Sequence, residues 1–290
     1  MKKNYFYKFK FSEYYLEIQQ VELFMSEKQE MTFLDHLEAL RWHLIRSVIA
    51  IMAGAIIIFI FKDFFFNDIL LAPKNPDFIT NKILCLLAQK YETPSICINQ
   101  NSFQLISISM SGQFNMHMFV SLIGGIILAF PYVFWELWRF ISPALNDKER
   151  KHASGAIFYI STMFFVGILF GYYIITPFSV DFLGSYSVSD QISNQINIAS
   201  YISTLVSVTF ASGLVFELPI IVFFLSSIGI LTPQFMRKYR RHSFVVILIV
   251  SAIITPPDVF SQILVTMPLY LLYEISIIIS VLVVRKKKLS

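Results

Sequence analysis

The sequence of 290 residues is 56% hydrophobic and only 14% charged, and it contains 30 phenylalanines. This composition excludes an ordinary soluble enzyme domain and is typical of a membrane protein. The formal net charge is only +4, so the positions of the charges are more informative than their sum.

The first 30 residues are predicted to form a cytoplasmic extension ahead of the membrane domain. They contain no apolar core and no small-residue cleavage site, so they do not resemble a signal peptide. One interpretation is an extension that precedes a functional start at Met25 or Met31, and the other is an amphipathic helix on the membrane surface. We favour the extension, and we expect the membrane domain over residues 31–284 and a basic cytoplasmic tail over residues 285–290.

Six apolar stretches are candidates for membrane-spanning helices. They are Leu44–Phe61, Phe114–Leu137, Gly155–Ile175, Ser200–Ile228, Ser243–Ile254 and Val259–Val284. A hydrocarbon core needs about 20 helical residues to cross it, so the fifth stretch is short, and Pro268 is expected to interrupt the sixth. The sequence therefore predicts an all-α, polytopic membrane protein with six transmembrane helices, of which the fifth and sixth are short. A soluble helical bundle is the disfavoured alternative, because six such stretches carry few charges.

Lysine and arginine residues are distributed unequally among the segments that connect these stretches. Seven lie before or at the start of the first stretch, and four follow each of the second, fourth and sixth, which places 19 of the 23 on one side. The other four lie between the first two stretches. Because basic segments remain in the cytoplasm, both termini are predicted to be cytoplasmic.

The segment of about residues 62–112, between the first two stretches, is the least apolar part of the membrane domain and is predicted to lie outside. Pro73 is part of a turn signal near its start. Cys85 and Cys97 would lie on the oxidising side, where a disulfide between them is one interpretation. Two unpaired thiols are the other, and the sequence does not decide between them.

Glu217 stands within the fourth apolar stretch, two residues before Pro219. A carboxylate in hydrocarbon is costly unless it is protonated, hydrated or paired. We expect its hydrogen bonds to come from water, from a hydroxyl or amide such as that of Gln262, or from another protein. A kinked helix with a buried acid suits a docking notch or a proton-linked site, and a protonated carboxyl bonded to a neighbouring helix is the structural alternative.

Five short motifs follow one another along the chain. They occupy His36–Arg41, Phe140–Arg150, Phe216–Pro219, Thr255–Gln262 and Pro268–Ser276. Taken singly, the first two would indicate only an interfacial helix start and a turn with a helix cap. Together they resemble the TatC family, the multispanning receptors of the twin-arginine protein translocase, over about residues 31–284 and with the same six-span topology.

The resemblance implies a receptor without covalent catalysis, and we expect no cofactor, no metal and no nucleic acid. Such a receptor would bind signal peptides with paired arginines and help to export folded proteins across the bacterial cytoplasmic (inner) membrane with the proton-motive force. Its partners would be TatA-like and TatB-like single-span proteins, further copies of itself and the lipid bilayer. A carboxylate accepts a guanidinium bidentately, and motif position assigns that role to Glu149. The implied signal-peptide site consists of Glu149, Glu38, Arg41, Phe140, Pro143 and Leu145.

The resemblance places Glu217, Pro219 and Gln262 on the surface that receives partner helices. We assign structural roles to Pro73, Pro256, Pro257 and Asp258.

The sequence departs from the family at Ala39, where a carboxylate is usual. Glu38 lies about 100° away around a helix, so either Glu38 substitutes through a local rotation or the site depends more on Glu149.

An alternative from another functional class is a proton-coupled secondary transporter that uses Glu217. We detect no internal repeat of the kind that such transporters carry.

Overall fold

The computed structural model describes residues 33–93, 96–100, 103–141, 147–189, 191, 194–255 and 259–289, most of which are helical. The α-helices in this part of the chain are α1 (Phe33–Ile60), α2 (Ile79–Lys90), α3 (Gly112–Ile141), α4 (Asp147–Phe170), α5 (Thr176–Ser185), α6 (Ile198–Val215), α7 (Leu218–Ile228), α8 (Pro233–Lys238), α9 (Arg240–Ile254) and α10 (Val259–Leu289). Two π-helical segments (Phe64–Leu70 and Gly171–Ile175) and a 3-10 turn (Ala72–Lys74) connect some of them.

Five helical segments within the described residues are long and apolar enough to cross a membrane. They are Leu37–Ile60, Gly112–Ile141, Ile157–Ser185, Ile198–Ile228 and Gln262–Lys286. The predicted helical, membrane-spanning class is therefore confirmed. The remaining candidate is the fifth stretch, in α9, which has only 15 residues and is about 22 Å long, so the count of six spans and their orientation remain predictions.

The last helix differs from its prediction. We expected Pro268 to interrupt it and to leave a short span, and this is wrong, because α10 is a single helix of 31 residues with Pro268 inside it. Proline removes one backbone donor, and packing on both sides of it holds the helix together. Val265 and Leu269 are buried in one cluster, and Ile277 is buried in another.

The third and fourth spans also depart from simple helices. The third was predicted to end at Ile175 and instead continues to Ser185 through the π-helical segment Gly171–Ile175. The fourth is divided at Phe216 and Glu217 between α6 and α7. Pro219 in the first turn of α7 explains this break, since it has no N–H with which to continue the α6 ladder.

By its internal contacts the chain divides into two compact units, Met1–Ile45 and Arg46–Ser290. Of the first unit, the structure describes the beginning of α1 from residue 33 to residue 45. The second unit contains the buried core clusters. One of them joins Ile58 of α1, Val120 of α3 and Ile202 of α6, so these helices pack as neighbours.

Small residues permit a close helix crossing in the second unit. A Cβ atom on Gly167 of α4 would lie 2.7 Å from the carbonyl oxygen of Ser212 and 2.8 Å from the Cα atom of Gly213, both in α6. Such contacts between small residues are the usual means by which membrane helices approach one another closely.

One small exception to the all-α prediction is a parallel pairing of β1 (Leu105–Ile106) with β2 (Ile196–Asn197).

Candidate functional site

The structure describes only some of the residues that were predicted to bind a signal peptide. Glu38 and Arg41 are exposed on α1. Phe140 is half-buried one residue before the end of α3. Pro143 and Leu145 lie outside the described residues. The backbone of Glu149 belongs to the first turn of α4, but the contacts of its side chain lie outside what the structure describes.

Glu217 is buried at the break between α6 and α7, with 7% of its surface exposed. Its backbone carbonyl accepts hydrogen bonds from the amides of Ile220 and Ile221, which begins α7. Its carboxyl atom Oε1 is buried and has no hydrogen-bond partner among the described residues. Pro219, two residues on, is also buried. A buried oxygen with spare acceptor capacity is suited to receive a donor from outside the chain.

Gln262, which the sequence suggested as a possible partner for Glu217, bonds to a different helix. Its Nε2 donates to the carbonyl oxygen of Leu248 in α9 at 3.2 Å. One turn along, the hydroxyls of Ser251 and Thr266 lie 2.8 Å apart and are both buried. Gln262 therefore belongs to a set of hydrogen bonds between α9 and α10. The described contacts do not bring it to Oε1 of Glu217.

A further polar cluster surrounds Glu136 of α3, which is only 1% exposed. Its Oε2 lies 3.9 Å from Nη1 of Arg46 in α1. Its Oε1 lies 3.5 Å from Nη1 of Arg139 and accepts a hydrogen bond of 3.2 Å from the hydroxyl of Tyr132. We call these four residues the Glu136 cluster. It is the most completely paired buried carboxylate within the apolar helices that the structure describes.

The sequence carried a signal for this cluster that the motif comparison did not use. Glu136 is an acid inside the second apolar stretch, one residue before its end at Leu137, so the rule that selected Glu217 selects it too. Its partner could not be identified in the same way. Arg46 precedes it by 90 positions in the sequence, and their pairing depends on which faces α1 and α3 present to each other.

The loop between α1 and α3 is tied together by polar contacts. Asn81, fully buried in α2, donates from Nδ2 to the carbonyl oxygens of Pro73 and Asn75 at 3.1 and 2.8 Å. Asn99 donates from Nδ2 to Oδ1 of Asn81 at 3.3 Å and to the carbonyl oxygen of Pro177 at 3.0 Å. Pro73 thus has a packed position with a bonded carbonyl.

The same loop contains a disulfide. The structure joins the sulfurs of Cys85 and Cys97, with their Cα atoms 4.3 Å apart. The other positions with assigned structural roles, Pro256, Pro257 and Asp258, lie outside the described residues. Within the described ranges, no group of three or more His, Cys, Asp or Glu side chains is placed to hold a metal ion.

Comparison with known proteins matches this chain to one family. The model of the family described as Sec-independent protein translocase protein (TatC) matches residues 35–268. A TatC protein of Blattabacterium sp. subsp. Periplaneta americana is 39% identical over 264 residues, which is 90% of this chain and 99% of that protein. The TatCy protein of Bacillus subtilis is 33% identical over 261 residues, which covers 90% and 93% of the two chains.

Solved structures agree with the sequence relatives. The crystal structure of the twin arginine translocase receptor TatC superposes with a TM-score of 0.64 at 30% identity, and it covers 86% of this chain and 99% of that one. A second crystal structure of that receptor, in DDM, gives a TM-score of 0.66 at 30% identity over 84% and 98% of the two chains. The resemblance inferred from the five motifs is confirmed, and the chain belongs to the TatC family as a membrane-spanning component of a protein translocase.

Proposed function

We propose that this chain is the signal-peptide receptor of a twin-arginine translocase in a bacterial cytoplasmic membrane. The observation that carries the proposal is the family match over residues 35–268. This range contains the first four of the five motifs in full. The chain would recognise signal peptides on folded proteins and assemble with TatA-like and TatB-like single-span proteins and with copies of itself. The proton-motive force would drive export.

The proposed topology has six spans and two cytoplasmic termini. Placement of 19 of the 23 lysine and arginine residues on one side supports this orientation. α9, with 15 residues, is proposed as the fifth span. Its length of about 22 Å is less than the roughly 30 Å of a typical hydrocarbon core, so the bilayer would thin beside it. Cysteine labelling from either side of sealed vesicles would test the orientation of each loop.

Glu149 is proposed as the carboxylate that binds the paired arginines. A guanidinium presents a planar set of donors that matches a carboxylate, and such bonds are charge-assisted on both sides. Phe140, Pro143 and Leu145 belong to the same motif and would shape the segment that leads to Glu149. Glu38 and Arg41 would contribute from α1.

Photo-crosslinking to a signal peptide with paired arginines tests this assignment. Glu149→Ala should abolish the crosslink, whereas Asp147→Ala, a matched loss of charge two residues earlier, should retain it. An undiminished crosslink in Glu149→Ala would remove Glu149 from the site. Glu38→Ala then decides the question raised by Ala39: a lost crosslink shows that Glu38 substitutes for the family's usual carboxylate, and a retained one shows that the site depends on Glu149.

Glu217, Pro219 and Gln262 are proposed to receive the single-span partners. The support is that Oε1 of Glu217 is buried with no hydrogen-bond partner among the described residues, so a polar group from a partner helix would complete it. Glu217→Ala should reduce co-purification of TatA-like and TatB-like proteins while signal-peptide crosslinking persists. Asp77, which is exposed and ion-paired with Lys82, offers a control, and Asp77→Ala should not mimic that pattern. Solute uptake by the purified chain alone would instead support the proton-coupled transporter.

A further inference from the structure

The Glu136 cluster contains more positive than negative charge. Two guanidinium groups, of Arg46 and Arg139, share the one carboxylate of Glu136, so the cluster carries a formal charge of +1. Each guanidinium approaches Glu136 through its Nη1 atom. The arginine side chains remain 47% and 49% exposed, whereas that of Glu136 is 1% exposed. The carboxylate is therefore enclosed, and the unbalanced charge faces outward.

Aromatic side chains border the exposed side of this cluster. The guanidinium of Arg139 lies 5.0 Å from the ring centroid of Trp135, and the rings of Tyr132 and Trp135 are 5.6 Å apart. Both rings are more than one third exposed. Tyrosine and tryptophan are enriched where the hydrocarbon meets the headgroups, so their position favours an interfacial depth for the cluster.

The length of α3 leads to the same depth. The helix has 30 residues and is about 45 Å long, against a hydrocarbon core of about 30 Å. One end or both must extend into the headgroup region. Arg139 lies two residues before the final residue, Ile141, and is therefore close to one of these ends. In the orientation proposed above, this is the cytoplasmic end.

A group that binds here must be an anion with several acceptor oxygens at headgroup depth. A phosphodiester fits this description, because its oxygens accept hydrogen bonds from two guanidiniums at once. The cytoplasmic leaflet is the anionic one, and basic pockets between helices on that side bind acidic headgroups. The arginine of a signal peptide would not fit, since the net positive charge repels it.

We propose that the Glu136 cluster binds the headgroup phosphate of an anionic phospholipid, held between Arg46 and Arg139. Glu136 sets the distance between the two guanidiniums and at the same time competes with the lipid for them. The site would fasten a lipid across α1 and α3, the two helices that the cluster joins. The leaflet depends on the proposed orientation, but the binding itself does not.

Lipid retention by the purified chain tests the proposal. The chain is exchanged through mixed micelles of dioleoylphosphatidylglycerol and dioleoylphosphatidylcholine, and the bound lipids are counted by mass spectrometry. Wild type should retain phosphatidylglycerol selectively. Arg46→Gln and Arg139→Gln should each weaken this selectivity about fivefold, the effect expected for one arginine near an anionic surface. Arg237→Gln and Arg241→Gln, at exposed positions in α8 and α9, make the same change in charge and should not alter it.

Glu136→Gln gives the sharper result, because its effect should have the opposite sign. The amide keeps the shape of the carboxyl and removes its charge, so phosphatidylglycerol should be retained more strongly than by wild type. A merely structural ion pair would give reduced or unchanged retention in this variant.

Four outcomes would overturn the proposal. They are equal retention of the two lipids by wild type, unchanged selectivity in both single arginine variants, reduced or unchanged retention in Glu136→Gln, and displacement of the lipid by free glycerol phosphate at equal concentration. The assay contains no signal peptide and no partner protein, so its result is separate from the receptor proposal. If a variant denatures during exchange, the wild-type competition and the Glu136→Gln variant still decide the matter.

Discussion

Replacing Gly125 with alanine tests whether α1 and α3 touch through their backbones. A Cβ atom on Gly125 would lie 2.6 Å from the amide nitrogen of Ala55 and 2.7 Å from the carbonyl oxygen of Ile51. Both are main-chain atoms of α1, so neither can give way unless the helix moves. Gly124 is a matched control, because the three atoms nearest to a Cβ atom there all belong to the side chain of Ile58, whose terminal methyl can rotate aside.

The magnitude follows from these distances. Ordinary contacts of a Cβ atom begin at 3.4 Å, so α1 and α3 would have to separate by roughly 0.8 Å. Forcing an extra carbon into a packed interior costs about 1–3 kcal/mol. Alanine stabilises a helix by about 1 kcal/mol relative to glycine, but both variants share that gain. The difference in stability between the two variants therefore measures the clash alone. At about 2–4 °C for each kcal/mol, Gly125→Ala should denature roughly 2–12 °C below Gly124→Ala.

The assay is thermal denaturation of the detergent-purified chain at one fixed heating rate, because irreversible unfolding makes the midpoint depend on that rate. Separation of the helices would also lengthen the 3.9 Å contact between Arg46 and Glu136. The Gly125→Ala variant should therefore lose part of its lipid selectivity as well. Equal midpoints for the two variants, or a lower midpoint for Gly124→Ala, would refute the close backbone approach.

Three further changes probe other contacts by the same denaturation assay. Changing Cys85 and Cys97 together to serine should cost about 2–4 kcal/mol; a reducing agent should lower the wild-type midpoint and leave this variant unchanged. Asn81→Ala should cost about 1–3 kcal/mol, because buried carbonyl oxygens lose their donors, and a midpoint equal to wild type would contradict the contacts described. Ser226 and Ser280 share a buried hydrogen bond of 2.8 Å, so the double alanine variant should lose less stability than the two single variants added together.

The membrane class and the family could be predicted from the sequence because both depend on local information. The free energy of transferring side chains from water to lipid is approximately additive along a helix. Apolar runs therefore identify spans without knowledge of the neighbouring helices. Motifs such as Phe216–Pro219 identified the family by their order along the chain. The break at Glu217 also followed from sequence, because Pro219 cannot supply the N–H that would continue α6.

Helix continuity was less predictable where packing opposes a local preference. Pro268 indicated an interruption, yet α10 runs through it because Val265 and Leu269 on either side are buried against other helices. The extension of the third span to Ser185 has a similar origin. Ile175 and Val180 are buried in separate clusters, so the π-helical segment and the helix that follows it are both held by tertiary contacts.

Side-chain partners at the candidate sites were decided by tertiary structure alone. The sequence showed that Glu217 and Gln262 are polar groups within apolar stretches, and the cost of burying them made each a candidate. The same cost applies to Glu136, which the sequence analysis did not select. The sequence could not show that Gln262 bonds to α9, or that Glu136 holds Arg46. Those pairings depend on which helix faces meet, and such contacts join residues that are far apart in the sequence. By itself the sequence determined that the chain enters the membrane and which family it belongs to, while helix packing decided which buried charges are paired.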